Sequence, residues 1–136
     1  HRERRRAVGW GLYGLLGIQK GDREGSARQG ARNFQFFDAP IGLFVTIDSY
    51  MARGNWADVG MYIQTLMLAA KGVGLDTCAQ AAWIQFQEPI YRHLGIPEDQ
   101  ELVTGMSIGY ADSTAIENTL VSEREDLDKV VRMVGF

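Results

Sequence analysis

The strongest constraint on the fold is a nearly all-apolar helical segment in the middle of the chain. Residues 55–71 place apolar side chains around more than one face of a predicted helix. Asn55, with Asp58 three residues later, predicts its N-terminal cap, and Gly72 and Gly74 predict its end. A helix that is apolar nearly all round needs cover on all sides. The segment therefore predicts a helix in the core or in a subunit interface.

Length and composition indicate one globular domain. A chain of 136 residues buries roughly two-thirds of the surface that its unfolded form exposes. Its content of 46% hydrophobic and 23% charged residues is that of a globular protein. No segment reaches the roughly 18 uncharged apolar residues that a membrane span requires. We expect a single domain over residues 1–136 and no contact with a membrane.

Positive charge is concentrated at the start of the chain. Residues 1–32 hold 8 Lys and Arg against 3 Asp and Glu, although the whole chain has a net charge of -3. The arginine run at residues 2–6 has no interleaved aromatic side chains, and the sequence pI is about 5.3. Binding to nucleic acid is not expected. A solvated helix face is the simpler interpretation.

The cysteine and histidine content argues against thiol or metal catalysis. Cys78 is the only cysteine, and the two histidines are His1 and His93. No Cys/His pair or cluster with metal-ligand spacing is present, so we predict neither a catalytic side chain nor a metal site, and Cys78 is expected to be a small buried thiol. A lone cysteine fits a reducing compartment, and a cytoplasmic location is expected.

The remaining hydrophobic pattern predicts helices alternating with a few strands, in an α+β or α/β arrangement. Glycine, proline and capping signals set most of the boundaries. The predicted elements are a helix over residues 2–18, a loop over residues 21–32, a buried strand Ile41–Asp48, a short helix over residues 89–94, a strand over residues 103–110, and a C-terminal amphipathic helix that follows a capping box of Ser122 and Glu125.

The strand at residues 103–110 has one nearly bare face. Gly105, Ser107 and Gly109 alternate with larger side chains. A bare face admits a closely packed neighbour. The pattern therefore predicts a central strand with another layer pressed against it.

Gly9, Gly11 and Gly14 match the G-x-G-x-x-G pattern of dinucleotide-binding folds. That fingerprint needs a preceding strand and an acidic residue about 20 positions later. Neither is present, so the glycines are interpreted as close-packing positions on a helix.

Residues 74–83, directly after the apolar helix, resemble the flavin-facing loop of the FMN-dependent nitroreductase family. The segment at residues 33–40 (NFQFFDAP) and Arg124 have the order and approximate spacing of that family. The resemblance covers nearly the whole chain. The family's Arg/Ser-rich flavin-phosphate motif and first strand have no counterpart, so a truncated N-terminus is expected.

The resemblance implies a fold, a cofactor and a reaction. The fold is a three-layer α+β structure with a central, mostly antiparallel sheet flanked by helices. Two chains form an intertwined homodimer that holds FMN at the subunit interface. Hydride passes from NADH or NADPH to the flavin and then to a nitroaromatic, a quinone or a similar small-molecule acceptor.

The resemblance also assigns residues to the cofactor. Gln80, Ala81 and Ala82 are assigned to the flavin, and the two small side chains at 81 and 82 let main-chain N–H groups approach N5 and O4 of the ring. Asn118 and Arg124 match the family's phosphate-binding pair, and a guanidinium donates two parallel hydrogen bonds to phosphate oxygens. Many members carry a lysine where this chain has Ser122, which implies weaker phosphate binding.

Three aromatic side chains are candidates for the acceptor pocket: Trp10, Tyr13 and Phe36. Two other interpretations stay open. One is a truncated, non-catalytic module that dimerises or binds a ligand. The other, less favoured, is a specialised flavin-consuming or dehalogenating enzyme on the same scaffold.

Overall fold

The computed structural model describes residues 2–135, which belong to two compact units. The larger unit spans residues 23–111, and the smaller unit combines residues up to 22 with those from 112 onward. The elements in chain order are helix α1 (Arg2–Leu15), α2 (Arg23–Ala31), strand β1 (Ile41–Asp48), α3 (Arg53–Gly72), β2 (Asp76–Gln80), α4 (Gln87–Leu94), β3 (Gln100–Gly109) and α5 (Leu127–Val130), with 3-10 segments at Arg32–Asp38, Ala81–Phe86 and Ile116–Thr119. The α+β prediction is confirmed.

The larger unit contains a three-stranded antiparallel sheet in the order β1-β3-β2. Gly105 of β3 lies opposite Phe44 of β1 and Gln80 of β2. The prediction that residues 103–110 form a central strand is confirmed. Met106, in the middle of β3, is fully buried.

The bare face of β3 is covered by aromatic and proline rings. A Cβ added at Gly105 would overlap the Trp83 ring, and one at Gly109 would lie 2.8 Å from Cδ of Pro40. In β1, a Cβ at Gly42 would overlap the Phe36 ring. Because real Cβ atoms do not approach other atoms so closely, only glycine fits beneath these rings.

Strand β1 has the predicted bounds but is only half buried. Val45 and Ile47 are buried, whereas Ile41 at its start is 51% exposed. The continuous apolar run predicted burial on both faces, but the structure buries only the second half.

Helix α3 extends slightly beyond its predicted bounds, and its cap differs from the prediction. Ala52 occupies the N-cap position, and its methyl group cannot accept a hydrogen bond, while Asn55 lies inside the first turn. At the other end, the N–H of Leu75 donates to the carbonyl of Ala70, and Gly74 has φ +83°. The left-handed conformation explains the glycine at that position.

Within the described chain, α3 is not a core helix. Met61, Tyr62 and Leu68 are 62%, 59% and 63% exposed, and Ala70 is the one residue of α3 that is buried. The interpretation as a core helix is therefore wrong for this chain by itself. The interpretation as an interface helix stays a prediction.

Two segments predicted as loops have regular structure. Residues 21–32 contain α2, because Glu, Ala, Arg and Gln are good helix formers and Arg28 pairs with Glu24 one turn earlier. The prediction gave too much weight to Gly25 and Gly30. Residues 74–83 contain β2 and the start of a 3-10 segment, because pairing with β3 organises them.

The C-terminal helix was predicted too long. Helix α5 has four residues, with Asp126 and not Ser122 at its N-cap position. Leu127 and Val130 are exposed. A short helix that buries no apolar face is marginal, so the periodicity alone does not extend it. The short helix at residues 89–94 is confirmed as α4, which ends at Gly95 with φ +66°.

Helix α1 contains all three glycines of the G-x-G-x-x-G pattern. A Cβ at Gly11 would lie 3.3 Å from Cδ1 of Leu120, whereas Cβ atoms at Gly9 and Gly14 would meet no described atom within 4 Å. Close packing therefore explains Gly11 alone. The arginines at residues 2–6 are exposed, as predicted for a solvated face. Among the described residues, no helix is long and apolar enough to cross a membrane.

Candidate functional site

The predicted flavin-facing residues lie where β2 passes into a 3-10 segment. Gln80 ends β2 and is 2% exposed, and its Nε2 donates to the main-chain carbonyl of Asn33 at 2.8 Å. Ala81 begins the 3-10 segment and is exposed, and Ala82 is half-buried. We call these two residues the Ala81–Ala82 turn. Their methyl side chains leave the main chain accessible, which the predicted role requires.

Next to this turn lies an aromatic cluster of five rings. Phe36 stacks on Trp83 with ring centroids 4.9 Å apart, while Phe34 and Phe44 meet Trp83 edge-on, each at 5.1 Å. Phe86 in turn meets Phe34 edge-on at 4.8 Å. Phe36, a predicted pocket residue, thus packs over Gly42 and against Trp83 and is half-buried. It is distant from the Ala81–Ala82 turn in sequence but contacts Trp83, the residue that directly follows the turn.

The segment that carries Phe36 has an unusual backbone. Phe36, Phe37 and Asp38 have φ values of 51°, 52° and 65°, a left-handed conformation that each non-glycine residue adopts at a cost. Arg32 helps to hold it, because Nη2 lies 3.3 Å from Oδ2 of Asp38 and the guanidinium carbon lies 5.9 Å from the centre of the Phe37 ring. Strained segments cluster at functional sites.

In the smaller unit, Asn118 has a structural role. Its Nδ2 donates to the main-chain carbonyl of Asp112 at 2.9 Å and closes the turn that follows β3. The carboxyl of Asp112 accepts from the Thr114 hydroxyl at 2.6 Å and from the Thr114 N–H at 2.8 Å, and this hydrogen bonding lowers the pKa of Asp112. A contact of Asn118 with phosphate stays a prediction.

Arg124 is exposed and keeps donors available. Its Nη1 donates to the hydroxyl and the carbonyl of Ser122 at 2.5 and 3.0 Å, and to the carbonyl of Glu123 at 3.5 Å. Within residues 2–135 every hydrogen bond of this side chain comes from Nη1. Nη2 and Nε are therefore available as a two-donor fork.

The other predicted pocket residues lie on α1. Trp10 and Tyr13 meet edge-on with ring centroids 6.4 Å apart, and Trp10 is 48% exposed. The structure thus brings these two rings together in the smaller unit and places Phe36 in the larger one.

Cys78 is not the buried residue that was predicted. It lies on β2 as an exposed residue, and partial desolvation raises the pKa of its thiol. A thiol with a raised pKa stays protonated at neutral pH and is a poor nucleophile. Among the described residues, no three or more His, Cys, Asp or Glu side chains are grouped to hold a metal ion.

Two important contacts were not predicted from the sequence. The main-chain carbonyl of Asn33 accepts the hydrogen bond from Gln80 across 47 residues of chain, and Trp83 is the centre of the aromatic cluster. The bare face of β3 could have indicated the position of Trp83, because a glycine in a central strand leaves space that a large neighbouring side chain fills. Nothing in the local sequence signals the contact of Gln80 with Asn33.

Known proteins resemble the chain over its length. The profile of the nitroreductase family matches residues 4–110. A 4-nitrobenzoate reductase of Pseudomonas putida is 44% identical over all 136 residues, which cover 60% of that protein. A nitrobenzene nitroreductase of Ectopseudomonas oleovorans is 41% identical over 124 residues, 90% of this chain and 54% of that protein.

A solved structure shows the same fold. It is the FMN- and NADPH-dependent nitroreductase NfnB from Sphigopyxis sp. strain HMH, which matches 99% of this chain with a TM-score of 0.96 and 37% sequence identity. The match covers 60% of the NfnB chain, so the sequence spans little more than half the length of these relatives. On the family profile and the fold together, the chain belongs to the nitroreductase family.

Proposed function

We propose that the chain is part of an FMN-dependent oxidoreductase that passes hydride from NADH or NADPH to a nitroaromatic, a quinone or a similar acceptor. The observation that carries this proposal is the Ala81–Ala82 turn, which lies beside an aromatic cluster in a chain of the nitroreductase family. FMN, when bound, supplies the hydride chemistry, and the protein supplies binding, orientation and tuning.

The turn fits a flavin ring in two respects. Ala81 and Ala82 carry only methyl groups, so their main-chain N–H groups can approach a planar heterocycle. Gln80 and Trp83 on either side are fixed by the hydrogen bond to Asn33 and by the aromatic cluster. Because these neighbours are fixed, the main-chain N–H groups of the turn have a defined direction. Hydrogen bonds that tune the reactivity of a flavin ring need such a fixed direction.

The phosphate of FMN is assigned to Arg124, with Asn118 holding the turn that precedes it. Nη2 and Nε of Arg124 supply the fork that suits phosphate oxygens. Ser122 accepts from Arg124 and adds no positive charge.

The acceptor is proposed from the names of the relatives. Two of them are reductases of 4-nitrobenzoate and nitrobenzene. The aromatic side chains of Trp10, Tyr13 and Phe36 suit the flat, apolar body of such compounds.

We further propose that residues 1–136 belong to one nitroreductase-like domain, because the matched residues 4–110 extend across both units. A cytoplasmic location suits the lone cysteine.

Flavin binding and turnover test this proposal. The purified chain should be yellow or turn yellow when FMN is added. In the absence of oxygen, which itself reoxidises reduced flavin, it should turn over NADH or NADPH only when both FMN and 4-nitrobenzoate or nitrobenzene are present. FMN binding without turnover would favour the non-catalytic module. A chain that binds no flavin would contradict the cofactor assignment itself.

A homodimer formed along α3 is the second expectation. Met61, Tyr62 and Leu68 are each about 60% exposed on this helix, and an apolar helix face needs a partner. Sedimentation should report a dimer at micromolar concentration, and Leu68→Glu should shift it towards monomer because the charge would have to be buried in the interface. Gln87→Glu, an exposed site on α4, adds the same charge and should leave the dimer intact. A monodisperse wild-type monomer would overturn the interface assignment.

A further inference from the structure

Gln80 makes an unusual long-range contact for a residue at the end of a strand. Its Nε2 donates to the carbonyl of Asn33 at 2.8 Å, 47 residues earlier in the chain. A carbonyl only accepts hydrogen bonds, so the orientation of the Gln80 amide is fixed. The Nδ2 of Asn33 in turn donates to the carbonyl of Gly30 at 3.1 Å. Gln80 is thereby tied to the junction between α2 and the segment at residues 33–38.

That same segment also contacts the other side of the Ala81–Ala82 turn. Phe34 and Phe36 both pack on Trp83, at centroid distances of 5.1 and 4.9 Å. The two residues of the turn therefore lie between two attachments to residues 33–38, one polar at Gln80 and one aromatic at Trp83. Phe36, Phe37 and Asp38 in this segment have left-handed backbone conformations, which persist only where surrounding contacts hold them. The two attachments supply such contacts.

Stability alone gives little reason for a glutamine at position 80. Its Oε1 is buried and accepts no hydrogen bond within residues 2–135. An unpaired buried acceptor costs at least as much as one hydrogen bond gains. The amide therefore contributes little net stability, although it fixes one geometry.

We propose that Gln80 is a positioning residue for the reaction, a role that rests on the proposed function. Its side-chain amide binds Asn33 and so fixes the Ala81–Ala82 turn relative to residues 33–38, which carry the pocket candidate Phe36. The side chain acts through Asn33 and the turn and makes no contact with the acceptor. Loss of the amide donor misplaces the turn, and errors in placement near 1 Å are costly in hydride transfer as in other reactions.

Hydrogen exchange tests the attachment without any cofactor. In the flavin-free chain, Gln80→Met keeps the volume of the side chain and removes the donor. Amides in residues 33–38 and 81–86 should then exchange roughly fivefold faster, because the local attachment is lost and the Asn33 carbonyl has no donor, although the free energy of global unfolding should change little. Amides in the middle of β3 should keep the wild-type rate. Gln87→Met, an exposed site, is the control and should change neither. Unchanged exchange at residues 33–38 and 81–86 would overturn the proposal.

The kinetic arm separates positioning from simple stabilisation. At a temperature well below unfolding, kcat per bound flavin should fall roughly ten- to a hundredfold in Gln80→Met, with little change in KM. Gln80→Glu should be impaired at high pH and recover as the pH falls, because only the protonated carboxyl donates to Asn33, and burial raises its pKa. Wild-type kcat in Gln80→Met, or a wild-type pH profile in Gln80→Glu, would overturn the role. A wild-type protein that binds no flavin would instead refute the proposed function. It would also refute the positioning role of Gln80, whatever the hydrogen-exchange experiment shows.

Discussion

Replacing Gly105 by valine is expected to destabilise the protein by roughly 1–3 kcal/mol or more. An added Cβ would overlap the Trp83 ring. That ring has little room to move, because Phe36 stacks on it and Phe34 and Phe44 pack against its edges. The extra atoms must therefore displace the aromatic cluster or bend the central strand. Urea denaturation at fixed pH measures the change in the free energy of unfolding.

Two further variants bracket this expectation. Gly109→Val brings a Cβ within 2.8 Å of Cδ of Pro40 and 3.6 Å of the Ala39 side chain, and should also destabilise. Gly30→Ala is the control in α2, where an added Cβ meets no described atom within 4 Å. It should be neutral or stabilising by up to about 1 kcal/mol through helix propensity. Wild-type stability in both valine variants would contradict the close packing over β3.

The sequence predicted those parts of the fold where local pattern and tertiary packing agree. Gly105 and Gly109 alternate with larger side chains, and this pattern indicated both the strand and a layer pressed on it. Pro89 and Gly95 bounded α4 through backbone preferences that do not depend on distant residues. The apolar faces of α3 predicted its helix, although not what covers them.

Two kinds of error occur, because some outcomes depend on contacts that the local sequence does not encode and others on local preferences that were weighted wrongly. Strand β2 has little β-branched character, and its pairing with β3 makes it a strand. Gly25 and Gly30 indicated a loop, but the other residues of α2 favour a helix and Gly25 is buried. The C-terminal periodicity lacked a surface to pack on in its own unit, so α5 has one turn.

The candidate site was predictable in its order along the chain and not in its contacts. The roles of Ala81, Ala82 and Arg124 stay predictions that rest on short motifs resembling those of the family. The hydrogen bond from Gln80 to Asn33 depends on how β2 is placed beside residues 33–38, which no local pattern encodes. The stacking of Phe36 on Trp83 also depends on this placement. The sequence therefore predicted Phe36 as a pocket residue but did not predict its contact with Trp83.

Replacing Arg124 by alanine is expected to weaken FMN binding by roughly 1.5–3 kcal/mol, the value of a hydrogen bond to a charged group. The side chain is exposed, and its contacts are with the neighbouring residues Ser122 and Glu123. The fold should therefore be intact in the variant, and thermal unfolding without flavin should match that of the wild type. Fluorescence titration of FMN into each protein measures the affinity.

The lysine variant separates charge from geometry. Arg124→Lys keeps the positive charge but loses the planar fork of Nη2 and Nε, so its affinity should lie between those of the wild type and the alanine variant. Arg28→Ala is a matched control, because Arg28 is also an exposed arginine whose guanidinium contacts a nearby residue, Glu24. Riboflavin, which has no phosphate, should bind the wild type and Arg124→Ala equally if the contact is with the phosphate. Equal FMN affinities in all four proteins would mean that Arg124 is a solvated surface residue with no role in binding. If Arg124→Ala weakened riboflavin binding as much as FMN binding, Arg124 would contact the flavin ring and not the phosphate.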